Sequence, residues 1–161
     1  MFKVDLHTHS EASPDGGITA SQYAKALENE LLDAIAITDH DRIDFALGLH
    51  KALGDMIIVG QEITTSQGEL IGLYLQQPVA AGKTAKQTAQ LIKDQGGLVY
   101  VPHPFETVRK GIQKDVLDSI TDLVDIIEVH NGRALTKKYA IAAATWAKLH
   151  NKPGASSSDA H

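Results

Sequence analysis

The chain has 161 residues, 43% hydrophobic and 22% charged, enough to fill one core and without the polar bias of a disordered segment. Its formal net charge of -5 argues against stable binding of long nucleic acid through broad electrostatics. With no cysteine, disulfides, thiolate metal sites and cysteine nucleophiles are excluded.

The N-terminal "MFKVDLHTHS" lacks the apolar core of a signal peptide, and no run approaches the roughly 20 apolar residues of a membrane span. The expectation is a soluble cytoplasmic protein with one domain over residues 1–161 and an open oligomeric state. Short apolar runs alternate with amphipathic ones. Strands are predicted at 2–7, 33–40, 56–62, 69–75, 97–103, 124–130 and 153–157, the last being the weakest in apolar signal. Helices are predicted near 19–31, 42–53, 83–95, 113–121 and 134–150, with Thr19, Asp41 and Thr136 as caps. This alternation predicts a mostly parallel α/β sheet or barrel. The two runs joined by "ITTSQG" read as a hairpin, and the glycines at 96–97 as a helix end rather than a phosphate loop.

Eight histidines are present, and four of them, His7, His40, His103 and His130, end predicted strands, as Glu62 does on a fifth. In α/β folds that edge is where ligands bind. Strand parity places His40 with Ala34, Ala36 and Thr38, Glu62 with Ile58 and Gly60, and His103 with Val99 and Val101. It places His130 with Glu128, and His7 and His9 with Asp5 opposite Val4 and Leu6. Ser157, Asp159 and His161 share a side in "ASSSDAH". If the strands curl into a barrel, these groups meet at one mouth.

Neutral imidazoles and carboxylates are ligands for zinc, manganese or iron, and a carboxylate can bridge two ions. An H-x-H pair on a strand projects both rings one way, about 7 Å apart along the chain. By contrast, His50 and His150 fall in helical segments and read as satisfied or solvent-facing side chains.

The stretches "DLHTHS", "SPDG", "AITDHD", "GQEITT", "VPHPF", "IEVHN" and "SSSDAH" occur in the order of the polymerase and histidinol phosphatase (PHP) domain family, which this chain resembles along its whole length. The resemblance implies a distorted seven-stranded (β/α)7 barrel with two or three divalent metal ions (manganese, zinc or iron) at its mouth, and hydrolysis of phosphate esters. It implies one metal on His7, His9, Glu62 and Asp159, a second bridged by Glu62 and taken by His103, and a third on Asp15, His40 and His161. At Glu69 many relatives have a histidine completing the second site; glutamate there either ligates or faces solvent. Glu62 and Asp159 are the expected catalytic carboxylates, with Asp5 orienting a ligating imidazole. His130 is a candidate for substrate contact or proton donation, and Arg109 and Arg133 for phosphate binding from loops over the mouth.

The chain resembles the small stand-alone members more than the longer histidinol phosphatases, which implies a nucleotide or short oligonucleotide as substrate, with a sugar phosphate also open. A histidinol-phosphatase-like monoesterase and a non-catalytic, partner-binding module are the alternatives. An amidohydrolase barrel normally needs about 250 residues, and no lysine stands at a strand end to form its bridge. Relatives continue for some tens of residues beyond the last ligand pair, so a C-terminally shortened domain lacking closing elements is expected.

Overall fold

The computed structural model describes residues 1–161. In chain order the elements are β1 (Val4–Asp5), α1 (Ala20–Glu28), β2 (Ala34–Ile37), α2 (Asp44–Leu53), β3 (Ile57–Thr65) and β4 (Gly68–Leu73). There follow α3 (Ala85–Asp94), β5 (Leu98–Val101), α4 (Lys114–Ser119), β6 (Ile126–Asn131), α5 (Lys137–Leu149) and β7 (Gly154–Ser157). All seven strands form one sheet in sequence order. Neighbours are parallel except around β4, which runs antiparallel to both β3 and β5. The β3–β4 hairpin expected from the sequence is thus present.

The sheet edges come together just past β1 and β7. The amide of His9 donates to the Ala160 carbonyl at 2.8 Å, and that of Asp159 to the His7 carbonyl at 3.0 Å. The result is a nearly closed seven-stranded barrel, and its closing contacts tie the first candidate ligands to the last.

Alternation along the strands divides the apolar residues into two layers. Ile35, Ile37, Ile57, Val59 and Ile63 pack outward with residues of α1, α2, α3 and α5 such as Leu27, Ala46, Ile92 and Trp146. Ala34, Ala36, Ile58, Ile71, Leu73 and Tyr100 fill the interior. Burying each isoleucine side chain is worth about 1.5–3 kcal/mol, so the outer layer carries much of the stability. The small residues on the inner side of β2 leave room for the site above them.

Two parity expectations fail. Val99 and Val101 pack in the outer layer while Tyr100 points inward, so His103 does not follow them; it turns back to the mouth at φ 28°, after Pro102. In β1 it is Val4 and Leu6 that pack on the interior cluster, so the alternation does not run unbroken from Asp5 to His7.

Thr19 and Thr84 cap α1 and α3 with reciprocal capping boxes. Asp41 does not cap α2, whose first flanking residue is Ile43; it adopts φ 55° and accepts the Thr64 amide at 2.8 Å. Thr136 stands at the start of α5 without a side-chain cap bond. His50 donates from Nδ1 to the Ile57 carbonyl, 2.7 Å away, and His150 stacks on Trp146, consistent with structural roles. No helix is long and apolar enough to cross a membrane.

Candidate metal centre

The carboxyl ends of the strands deliver a compact set of nitrogen and oxygen donors. His7 and His9 leave β1 with their Nε2 atoms 3.1 Å apart. Both face one oxygen of Glu62 from β3: Oε2 is 3.3 Å from His7 Nε2 and 3.1 Å from His9 Nε2. Asp159, at φ 54° beyond β7, brings Oδ1 to 3.4 Å from His7 and 3.7 Å from His9. The other Glu62 oxygen, Oε1, lies 3.0 Å from His103 Nε2. Glu69 on β4 stands 3.9 Å from His103 Nε2 and is buried, so it lies beside the second position rather than in solvent.

A second group lies further out. Asp15 Oδ2 is 3.1 Å from His161 Nε2 and 3.5 Å from His40 Nε2, and the His9 ring lies against both the His161 and His40 rings. Asp15 gets there because Gly16 lets its loop press on the chain after β1; a Cβ at Gly16 would stand 2.2 Å from the Ser10 carbonyl oxygen. Ser10 is itself clamped by Asp39 through its amide and hydroxyl, both at 2.6 Å. All nine residues expected as ligands therefore come together within three groups of donor atoms or directly beside them.

Behind the donors stands a buried network that sequence reasoning did not foresee. Glu128 Oε1 lies 3.2 Å from His7 Nδ1, so Nδ1–H donates to it and Nε2 faces the cluster. Tyr100 donates its hydroxyl to the same oxygen at 2.9 Å, while Oε2 accepts from the His103 amide at 2.6 Å and from Asn131 Nδ2 at 2.9 Å. Glu128, not Asp5, orients the imidazole; Asp5 accepts from the His7 and Ser158 amides.

A bulge in β6 explains His130. The register slips between Glu128 and His130, so parity inverts there: His130 is exposed and forms no hydrogen bond or ion pair with the donor cluster, whereas Asn131 turns inward and donates to Asp159 Oδ2 at 3.1 Å. The expectation that His130 faces the mouth is corrected accordingly. Nothing in the sequence marked the extra residue.

Arg109 lines the mouth as expected, with its donors already engaged. Its Nε and Nη2 form a fork on Glu106 at 2.9 and 2.7 Å, and Nη1 reaches Asp159 Oδ2 at 2.6 Å and Asn131 Oδ1 at 2.8 Å. The guanidinium is thus spent on holding Asp159, leaving Oδ1 toward the histidines. Arg133 is freer: half exposed, it contacts both ring nitrogens of His161 at 2.9 Å. It hangs over the mouth because Gly132 lies against the chain before Asp159, where a Cβ would meet the Ser158 carbonyl oxygen at 2.5 Å. With Lys110, Thr64 and Val108 it rims a cavity of about 390 Å³ above the donors.

The electrostatics call for positive charge. Burial opposes charge on His7, but the Glu62 carboxylate and hydrogen bonds to Glu128 and Glu62 outweigh it and hold the imidazole well above its usual value. Burial likewise opposes charge on Glu62, but attraction from His7 and hydrogen bonds with His103, His7 and His9 hold it well below the usual carboxylate range. Glu69 goes the other way: burial, then repulsion from Glu62, push it up to about 7. Asp15, opposed by burial, is lowered by His40, His161 and His9. A divalent cation supplies such charge directly, and imidazole nitrogens with carboxylate oxygens suit zinc, manganese or iron. The donor set fits.

Comparison with known proteins places this architecture. A family model described as the PHP domain matches residues 5–123. Uncharacterized protein MJ1587 of Methanocaldococcus jannaschii is 29% identical over 153 residues, covering 87% of this chain and 90% of that protein. The crystal structure of a two-domain Bacteroides vulgatus protein containing a predicted PHP-like metal-dependent phosphoesterase superposes with a TM-score of 0.78 at 24% identity. That match covers 99% of this chain and 52% of the other, so the chain spans about half its length. A Chromobacterium violaceum amidohydrolase with bound sulfate and no metal superposes with a TM-score of 0.74 at 17% identity, over 99% of this chain and 87% of that one. At such identities the likeness of the structures is one of fold, while the match of the family model over most of the sequence carries the assignment: the chain belongs to the PHP domain family.

Proposed function

We propose that the chain hydrolyses phosphate esters at this cluster, using two or three divalent cations (manganese, zinc or iron). The observation that carries the reading is the division of Glu62: one oxygen faces His7 and His9, the other faces His103. A carboxylate so placed suits a bridge between two adjacent ions. His7, His9, Glu62 and Asp159 would hold the first, His103 with Glu62 and Glu69 the second, and Asp15, His40 and His161 the third.

Cations bound there would make a nearby water acidic enough to attack at neutral pH and offset charge on the phosphate and the leaving oxygen, so no side chain has to act as nucleophile. The chain's own part is positioning. Glu128 fixes the His7 tautomer, Arg109 and Asn131 hold Asp159 so that Oδ1 is free to ligate or to take a proton, and Arg133 and Lys110 face the incoming phosphate oxygens from the rim. The substrate is then a phosphorylated small molecule, a nucleotide or a short oligonucleotide.

Purified chain incubated with manganese and a panel of 3′,5′-bisphosphates, short RNA, sugar phosphates and simple amides tests the reading. It requires turnover of at least one phosphoester that a chelator abolishes. Turnover of amides alone, or bound metal without hydrolysis of any phosphoester, contradicts it.

A further inference from the structure

Beside the donor cluster lies a second hollow, of about 470 Å³, between the loop after β5 and the loop after β6. It is continuous with the mouth: Val108, Arg109 and Arg133 border both. Its character differs. The mouth has Val108 as its single hydrophobic residue, whereas the hollow adds Leu135 and Tyr139.

Val108 and Leu135 hold their side chains almost entirely in water, at 90% and 95% exposure. A scattered exposed aliphatic is unremarkable, but two lining the same hollow as a tyrosine, next to a polar cluster, make a local apolar surface of the kind that ligands cover. Arg133 stands at the junction. Its guanidinium can meet a phosphate on the mouth side and lie along the face of a ring on the other.

Resting on the phosphoesterase reading, the geometry points to this hollow as the subsite for the alcohol part of the substrate, and to phosphate esters whose alcohol carries a flat, largely apolar ring. The phosphate sits over the donors, Arg133 spans the junction, and the ring lies between Val108 and Leu135 against Tyr139. The hydroxyl- and amide-lined groove on the other side of Lys110, bordered by Thr65, Ser66 and Gln67, has no hydrophobic side chain in its lining.

Phosphonates test the subsite without hydrolysis. Calorimetric titration of the manganese-loaded chain with phenylphosphonate and with methylphosphonate should give a preference of about tenfold for the phenyl compound, the gain expected from covering a ring. In the double variant Val108→Ser, Leu135→Ser, where both changes fall on exposed side chains, the ratio of the two affinities should drop toward one. Equal affinities in the unmodified chain, or a preference that survives both substitutions, overturn the proposal. A chain that hydrolyses phosphate esters yet binds both probes equally overturns the subsite alone; one that binds neither probe and hydrolyses no ester overturns the phosphoesterase reading with it.

Discussion

The inner group of His7, His9, Glu62 and Asp159 and the outer group of Asp15, His40 and His161 use the same ligand chemistry with very different support. Every inner side chain is buried and most are held from behind: His7 by Glu128, His9 by Ser13 at 3.3 Å, Asp159 by Arg109 and Asn131. In the outer group the Asp15 side chain is 52% exposed, with a Ser13 hydroxyl at 3.2 Å, and His161 is flanked by the Arg133 guanidinium. A ligand already held in its binding geometry loses little freedom when an ion arrives, whereas one on a loose loop must be ordered first. If these groups hold metal as proposed, the barrel offers a preorganised inner site and an adaptable outer one.

Removing the shared carboxylate should break the distinction altogether. Glu62→Ala is expected to reduce phosphoester turnover to background, because Glu62 Oε1 and Oε2 serve separate positions and Oε2 also approaches His40 Nδ1 at 3.6 Å. A steady-state assay at saturating manganese checks this. Weakening only the inner support should cost less: Glu128→Gln leaves the donors in place but loosens His7 and the His103 amide, and metal affinity should fall about 10–100-fold, as read by competition with a chromophoric chelator. Disabling the outer group with Asp15→Asn should leave the inner ions bound while the weakest of the three is lost, so that chelator titration shows one class of ion fewer. Last, His130→Ala should leave turnover and metal content within about twofold, since the bulge turns that ring to solvent; a larger loss would return His130 to the site.

Much of this arrangement was legible in the sequence because the expected ligands follow strand ends, and strands announce themselves through apolar runs. The three groups of donors draw on residues from position 7 to position 161, two of them beyond the segment matched by the family model, and the apolar alternation of β2 and β3 alone put His40 and Glu62 on the right side. What could not be read depended on local breaks in regularity. The extra residue in β6 exchanges the fates of His130 and Asn131, and the φ of 28° at His103 restores by a backbone turn what parity in β5 would have denied. The partners of Arg109 were hidden for another reason: a loop arginine looks the same in sequence whether it meets a phosphate or a buried Glu106, and only the fold brings Glu106, Asn131 and Asp159 around it. The residues behind the ligands, Glu128 and Tyr100 above all, carry no motif because an interior carboxylate and phenol become a pair only once β5 and β6 lie side by side.

On the proposed function, the two oxygens of Glu62 join two cation positions in a preorganised inner site. Metal stoichiometry of the chelator-stripped chain, titrated with manganese and read by calorimetry beside the Glu62→Ala variant, tests it most directly. Two tightly held ions and one weaker ion are expected in the unmodified chain, with both tight sites lost together in the variant. Loss of a single tight ion, or tight uptake that Glu62→Ala leaves intact, would contradict it.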